Sequence, residues 1–259
     1  MRPFRSLAMA LLVLAVPLTL ITTNIRFAAS EHRVYDYSVR EYGATAVSRI
    51  PQAELLQANR ELVRYFTSEE AYPLHIVVTN FNGRPETLFN ARETAHLGDV
   101  RDLFQRLFTV QQIVVALTLG LAVFIMVTGP LRSLALSLVY AALFTFGLVG
   151  LTGALALTAF DDFWTRFHLF AFANDFWRLD PAQDHLIQMF PRNFWLGITL
   201  LIGAFTVLEA TLLAGACGFY LYLSRPRPAL EPAPPAPPAL PPLRPHPPIP
   251  PPRPRHLTR

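Results

Sequence analysis

The chain alternates between four long apolar blocks and three long polar segments. The apolar blocks cover residues 6–22, 107–129, 134–160 and 194–223, and aliphatic or aromatic side chains fill most of their positions. A helix of about 20 apolar residues crosses the roughly 30 Å of hydrocarbon in a bilayer. Because a spanning backbone must satisfy its hydrogen bonds internally, we predict that the four blocks are transmembrane helices.

Arginines near the ends of these blocks predict the orientation of the chain. Arg2 precedes the first block, Arg132 lies in the short turn between the second and third, and Arg225 follows the fourth. Positive residues in short segments favour the cytoplasmic side. We therefore predict that both termini are cytoplasmic and that residues 23–106 and 161–193 are extracytoplasmic.

The first apolar block has two interpretations. Its charged start, short apolar core and the small residues 28–30 resemble a cleaved signal peptide. Arg26 stands between the apolar core and those small residues, which is unfavourable for cleavage. We interpret the block as a retained membrane anchor.

The first exported segment contains signals for both helix and strand. Residues 52–66 place apolar side chains at helical spacing, which predicts an amphipathic helix. Residues 74–89 alternate and are rich in β-branched side chains, with Asn82-Gly83 between the two halves, which predicts a β-hairpin. The predicted fold class is therefore an α-helical membrane protein with four transmembrane helices and a small mixed α+β extracytoplasmic cap.

The last segment, residues 224–259, has a different composition from the rest of the chain. It holds 16 of the 24 prolines, which is typical of a disordered, polyproline-like tail. We interpret it as a solvated cytoplasmic extension. Two alternatives are a docking ligand for a partner and an arginine-rich segment attracted to anionic lipid.

Charge and cysteine content exclude several classes of function. All 22 basic residues are arginine, and the tail carries six of them with one glutamate, so the rest of the chain is close to neutral. No basic face indicates a nucleic acid partner. The single Cys217 falls in the fourth apolar block, and no GxSxG motif is present. Any acyl transfer would therefore pass directly from donor to acceptor without an acyl-enzyme.

The second exported segment carries the stretch FHLFAFANDFW at residues 167–177. An interfacial helix that anchors the protein in lipid explains its Phe and Trp residues. It does not explain His168 and the nearby acids, because polar groups at such depth are costly unless they are used. We therefore interpret His168 as a functional residue.

A second histidine, His96, lies in the stretch ETAHLGDVRDLF that leads into the second apolar block. Asp99 follows Gly98 and is expected to cap the helix that becomes this block. His96 and His168 both lie near the ends of spans, so both are expected at the boundary between membrane and cap. Two imidazoles there form an acid–base pair, since the unperturbed pKa of histidine is near 6.5.

A metal site competes with this interpretation. Glu93, His96 and Asp99, together with His168 or His185, supply zinc-type ligands, but their spacing fits no standard zinc signature. We therefore expect no metal and no other cofactor.

One more acidic residue, Glu209, falls in the middle of the fourth apolar block. It is either a functional intramembrane carboxyl or a hydrogen-bond partner for Tyr140 or for a threonine of a facing helix.

Three motifs together suggest a family. The chain has HLGDV at residues 96–100 before the second span, then FHLFAFANDFW and DHLIQMFPRNFW before the fourth. In this order and topology, residues 1 to about 223 resemble the bacterial lipoprotein intramolecular transacylases. Members of that family more commonly carry methionine where this chain has Leu97, a change between apolar side chains of similar volume.

The resemblance implies an extracytoplasmic cap over four helices and two catalytic histidines, which map by motif onto His96 and His168. One is expected to act as base and the other as acid, in either order. Supporting or orienting roles are expected for Glu93, Asp99 and Asp175. Aromatic side chains are expected to line a substrate pocket, namely Trp164, Phe167, Phe170, Phe172 and Trp177.

The implied reaction moves the sn-2 acyl chain of a diacylglyceryl lipoprotein to the amine of its own N-terminal cysteine, which gives a lyso-form lipoprotein. The expected partners are a diacylated lipoprotein and membrane lipid. The protein is expected to be a monomer in the bacterial cytoplasmic membrane, with its active site on the outer side. Two alternatives are a non-catalytic membrane scaffold whose proline-rich tail binds a partner, and a metal-dependent lipid hydrolase.

Overall fold

Four long helices form the body of the molecule. The structure is a computed structural model that describes residues 2–70 and 72–225. Helices α1 (Arg2–Ser30), α5 (Ala91–Thr128), α6 (Leu131–Thr158) and α9 (Arg192–Leu223) are each long and apolar enough to cross a membrane. The predicted helical membrane fold with four spans is confirmed. The predicted boundaries of the spans themselves remain predictions.

Helix α5 is much longer than a bilayer requires. Its 38 residues extend about 57 Å at 1.5 Å per residue. It begins at Ala91, well before the apolar block that starts at residue 107, and the intervening residues 92–106 are rich in charged side chains. The helix thus continues from the bundle into the region of the cap.

Helix α1 contacts each of the other three long helices, α5, α6 and α9. Leu12 and Val16 of α1 are buried against Ile125 of α5 and Ala141 of α6. Small side chains such as Ala141 let neighbouring helices approach closely, and this is how membrane helices commonly associate.

Polar contacts join the same helices inside the bundle. Asn24 Nδ2 donates to Glu209 Oε2 at 2.9 Å and to Thr206 Oγ1 at 3.1 Å, which links α1 to α9. The partner of Glu209 is therefore Asn24, whereas the expected alternative Tyr140 is 60% exposed.

The cap contains three helices and a hairpin. Its elements are α2 (His32–Glu41), α3 (Ala44–Ser48), α4 (Gln52–Thr67), β1 (Val77–Thr79) and β2 (Pro85–Thr87). The strands pair antiparallel with Val78 opposite Glu86, and Gly83 in the turn has a φ of 73°. Glycine adopts this left-handed conformation without a steric penalty. The predicted helix over 52–66 and the predicted hairpin are both confirmed.

The cap and the second polar segment, residues 161–193, share one hydrophobic core. Leu55 and Leu62 of α4 are fully buried together with Leu88 after the hairpin. Met189 and Phe194, from the far end of the chain, belong to the same core. Packing against the cap therefore fixes the position of the second polar segment.

This second segment folds into two short helices, α7 (Phe160–Ala171) and α8 (His185–Met189), with turns between them. Ser38 Oγ donates to the Met189 carbonyl oxygen at 2.6 Å, which joins α2 to the end of α8. The predicted proline-rich tail lies almost entirely outside the described residues and stays a prediction.

Candidate active site

The first histidine is positioned by the beginning of α5. Asn90 is the N-cap, and its Oδ1 accepts from the Glu93 backbone N–H at 3.0 Å, while the Asn90 N–H donates to Glu93 Oε2 at 2.9 Å. This reciprocal capping box starts the helix six residues before His96. The expectation that Asp99 caps this helix is wrong, because Asp99 lies more than two turns inside it.

His96 lies on the buried face of α5. Its side chain is 6% exposed, and its ring lies 5.0 Å from Phe172 and 6.0 Å from His168, measured between ring centroids. His96 Nδ1 is buried and has no hydrogen-bond partner among the described residues. Packing therefore holds the ring, and its Nδ1 is left without a hydrogen-bond partner.

His168 comes from α7, one turn before the end of that helix. Its Nδ1 lies 2.8 Å from the Trp164 carbonyl oxygen, one turn earlier. A carbonyl only accepts, so Nδ1 carries the hydrogen, and in the neutral ring Nε2 keeps its lone pair. Burial lowers the pKa of His168, and the hydrogen bond to the Trp164 carbonyl partly opposes this effect. His168 thus presents a neutral acceptor nitrogen near neutral pH.

Aromatic rings surround the second histidine. The centroids of Trp164 and Trp177 each lie 4.8 Å from that of His168. Phe167 and Phe172 lie at 5.3 Å and 5.5 Å. Four of the five aromatic residues expected in a substrate pocket therefore contact His168. The fifth, Phe170, is 92% exposed and has no ring contact with this group within the described part of the chain.

A cavity of about 210 Å³ lies between α5, α7 and the cap. Both histidines line it together with Trp164 and Trp177. The remaining walls are mostly apolar and include Tyr35, Leu62, Phe66, Leu97, Phe104, Leu186, Phe190, Arg192 and Trp195. Its walls suit an apolar ligand that carries a polar group near the two imidazoles.

Glu93 supports the site through the backbone. The residue is 1% exposed, and its carboxylate accepts from the Leu186 N–H at 2.6 Å as well as from the Asn90 N–H. Asn90 Nδ2 in turn donates to Asp184 Oδ1 at 2.7 Å. Glu93 therefore joins the helix of His96 to the segment that enters α8, and its hydrogen bonds go to backbone N–H groups.

The two aspartates have different surroundings. Asp99 Oδ2 accepts from Asn174 Nδ2 at 2.9 Å, and Asn174 Oδ1 accepts from the Phe176 N–H at 3.0 Å. Asp175 instead pairs with Arg178 at 2.8 Å, and its side chain is 71% exposed. The turn before Trp177 is thus fixed by Asp99 through Asn174, a residue that the sequence reasoning missed although it lies inside the aromatic stretch.

The alternative of a metal site finds no ligand cluster here. Across residues 2–70 and 72–225, no three His, Cys, Asp or Glu side chains are grouped so as to hold an ion. Both carboxylate oxygens of Glu93 are occupied by backbone N–H groups, and His185 Nδ1 lies 3.0 Å from Gln188 Oε1.

The fold and the cavity define an integral membrane protein with a buried histidine pair at one end of a four-helix bundle. The family model for the lipoprotein intramolecular transacylase Lit matches residues 10–195, and the chain belongs to this family. It is therefore a membrane transacylase. No curated protein sequence matches the chain.

Solved structures with this fold are known. The chain is similar to the membrane integral lipoprotein intramolecular transacylase Lit from Bacillus cereus, with a TM-score of 0.73 at 14% identity, over 86% of this chain and 98% of that one. Two variants of the Bacillus cereus protein, with one histidine replaced by alanine or by arginine, match at 14% and 15% identity. Their TM-scores are 0.67 and 0.64, over 85% of this chain and 94% and 95% of theirs.

Proposed function

We propose that this transacylase moves the sn-2 acyl chain of a diacylglyceryl lipoprotein to the amine of the lipoprotein's own N-terminal cysteine. His96 and His168 carry the proton transfers. The observation that supports this proposal most directly is the approach of the two imidazoles to 6.0 Å across a mostly apolar cavity. A group placed between them is within reach of two proton-transfer groups at once.

The reaction begins when the neutral amine attacks the carbonyl carbon of the sn-2 ester. An α-amine has a pKa of about 7.7 to 8, so part of the substrate is neutral at physiological pH. The new C–N bond pushes the carbonyl electrons onto oxygen, and one imidazole removes a proton from the nitrogen. In His168 the nitrogen that can accept a proton is Nε2, because Nδ1 donates its hydrogen to the Trp164 carbonyl oxygen.

The second step breaks the bond between the carbonyl carbon and the glyceryl oxygen. The electrons return from the oxyanion, and the departing glyceryl oxygen takes a proton from the other imidazole. The products are an amide on the cysteine nitrogen and a free hydroxyl at sn-2. The total mass is unchanged. The base now holds the proton that the acid has given up, so one proton passes back from the first imidazole to the second, directly or through solvent, before the next turnover.

The aromatic walls contribute by holding one substrate molecule in a folded conformation. The amine and the ester belong to the same lipoprotein, so confinement brings the two together and supplies a high effective concentration. Trp164, Phe172 and Trp177 surround His168 with apolar ring surface. When the acyl chains of the substrate fill the cavity they displace water from it, which favours amine attack over hydrolysis.

The proposed location follows from the topology. The cavity lies where α5 leaves the bundle and where the cap meets α7. With both termini in the cytoplasm, as the arginine distribution predicts, this end faces outward from the bacterial cytoplasmic membrane. Substrate lipoproteins lie in the outer leaflet there, and one monomer contains both histidines.

The test is fragment-resolved mass spectrometry of a diacylated lipopeptide incubated with the purified protein in detergent. We expect unchanged intact mass, with one acyl chain moved from glycerol to the cysteine nitrogen. His96→Asn and His168→Asn should each abolish the transfer. The matched control His75→Asn alters an exposed histidine outside the cavity and should transfer normally.

Other results would replace the proposal. Loss of one acyl chain without amide formation would indicate a hydrolase. No change in any lipopeptide, with function dependent on residues 226–259, would indicate a scaffold. Transfer that survives in both histidine variants would place the chemistry elsewhere.

A further inference from the structure

Two residues that line the cavity each carry a buried polar atom without a hydrogen-bond partner. Among the described residues, four buried side-chain nitrogen or oxygen atoms have no hydrogen-bond partner, and two of these are His96 Nδ1 and Trp177 Nε1. Both side chains line the same cavity. A buried polar group without a partner costs about 1–3 kcal/mol. The proton transfers account for His96, whereas the proposed mechanism does not use the Trp177 indole.

An indole nitrogen is a donor only. Its missing partner is therefore an acceptor, and the ligand of this cavity supplies one in the carbonyl oxygen of the sn-2 ester. That oxygen becomes negative when the amine attacks, and a donor already aimed at it stabilises the charge in the transition state.

The other donors of the cavity differ from the Trp177 indole. Tyr35 Oη donates to the Ala29 carbonyl oxygen at 3.1 Å. Arg192 Nε is paired with Asp161 at the cavity's edge. The indole nitrogens of Trp164 and Trp195 are not among the buried unpaired atoms. Among the described residues that line this cavity, Trp177 is thus the one whose indole N–H is both fully buried and without a hydrogen-bond partner.

The position of Trp177 is fixed relative to both histidines. Its ring lies 4.8 Å from that of His168. The turn before it is attached to the helix of His96, since Asn174 donates to Asp99 at 2.9 Å. The Arg178 guanidinium lies 4.9 Å from the centre of the Trp177 ring. A cation over the ring draws electron density from the indole, which makes its N–H a stronger donor.

We infer that Trp177 is a further catalytic residue, whose indole N–H donates a hydrogen bond to the ester carbonyl oxygen and to the oxyanion that follows. This inference rests on the proposed function. In the step concerned, the amine nitrogen bonds to the carbonyl carbon, the C=O π electrons move onto oxygen, and the amine proton passes to an imidazole. Trp177 keeps its own proton throughout.

The first test compares Trp177→Phe with Trp195→Phe, using initial rates of the lipopeptide assay. Both changes replace an indole of the same cavity by a phenyl ring, but only the first removes a buried unpaired donor. We expect kcat of Trp177→Phe to fall about 100-fold, as for loss of one oxyanion donor, with KM within about threefold of the wild type. Trp195→Phe should lose much less kcat. Equal losses of kcat in the two variants would overturn the inference.

The second test uses the wild-type protein with ¹⁵N-labelled indoles, and so does not depend on a variant that folds. The probe is a lipopeptide analogue whose sn-2 ester is replaced by a phosphonate, which mimics the oxyanion. We expect one indole proton signal, assigned by its absence in Trp177→Phe, to move downfield when the analogue binds. No movement of that signal at saturating analogue would overturn the inference.

The two tests separate this inference from the proposed function. If the wild type transfers the acyl chain but Trp177→Phe behaves like Trp195→Phe, the inference fails while the function stands. If the wild type only hydrolyses the ester, the proposed function fails, and a selective loss in Trp177→Phe still supports the donor role. If the wild type neither reacts with the lipopeptide nor binds the phosphonate, both are wrong.

Discussion

The buried carboxylate of Glu93 gives a sharp test of how the site is held together. It accepts two backbone N–H groups, from Asn90 at 2.9 Å and from Leu186 at 2.6 Å. Glu93→Gln keeps the size of the side chain but offers one acceptor oxygen in place of two. Its amide NH₂ then faces one of the two N–H donors, and that donor loses its partner.

The size of the effect follows from burial. Glu93 is 1% exposed, so water does not replace the lost hydrogen bond. A buried unsatisfied group costs about 1–3 kcal/mol, and hydrogen bonds to a charged group contribute about 1.5–3 kcal/mol. We expect Glu93→Gln to destabilise the junction between α5 and α8 by about 2 kcal/mol. That energy corresponds to a roughly 30-fold larger population of the locally open state at the Leu186 N–H, and so to roughly 30-fold faster hydrogen exchange there, since about 1.4 kcal/mol is tenfold.

The assay is hydrogen exchange with mass spectrometry over residues 185–190, together with thermal unfolding in detergent. The matched control is Glu54→Gln, whose carboxylate accepts the Thr79 N–H at 2.7 Å in an exposed hydrogen bond. The control should lose less than about 1 kcal/mol, because water can take the place of the lost bond. Exchange over residues 185–190 that is no faster in Glu93→Gln than in Glu54→Gln would refute the reasoning.

Three further predictions follow from single contacts. Asn174→Ala removes the hydrogen bond to Asp99 and so loosens the turn before Trp177. We expect kcat to fall about tenfold with little change in unfolding temperature, and an unchanged kcat contradicts this. Asn24→Leu should lower the thermal stability in detergent by about 0.6–2 kcal/mol, since it removes the link between α1 and α9; equal stability contradicts it. Burial lowers the pKa of His168, so the unfolded chain takes up a proton from about pH 6.5 downward while the folded chain does not. The wild type should therefore lose stability relative to His168→Asn as pH falls below about 6.5. A difference between their unfolding temperatures that stays constant with pH contradicts this.

The parts of the fold that depend on local pattern were predictable from the sequence. The four apolar blocks, the amphipathic helix at 52–66 and the hairpin at Asn82-Gly83 each carry their signal within a short window. The start of α5 could also be predicted from the sequence, because Asn90 and Glu93 have the spacing of a capping box. The choice of Asp99 as the cap was wrong because it placed the helix start close to the apolar block, and charged residues can continue a helix beyond it.

The contacts between distant segments were not predictable in this way. Glu93 and the Leu186 N–H are 93 residues apart, and Asn174 and Asp99 are 75 apart. No periodicity links such pairs, since packing of the cap against α8 brings them together. The same reason explains Phe170, which shares its aromatic stretch with His168 but lies on the exposed side of α7. Two further residues differ from expectation in the same way. Asp175, expected to support or orient the site, pairs with Arg178. Tyr140, considered as a partner of Glu209, is 60% exposed, and Asn24 donates to Glu209 instead.

A crossover experiment tests most directly the claim that the acyl chain moves within one lipoprotein at the histidine pair. Two lipopeptides of different peptide mass are mixed, and only one carries a deuterated sn-2 chain. Fragment masses then report which peptide amine receives the label. The account predicts that deuterium appears only on the amine of the lipopeptide that brought it, and that His96→Asn and His168→Asn give no amide at all. Deuterium on the other peptide's amine would contradict the account, because the chain would then have left its molecule of origin.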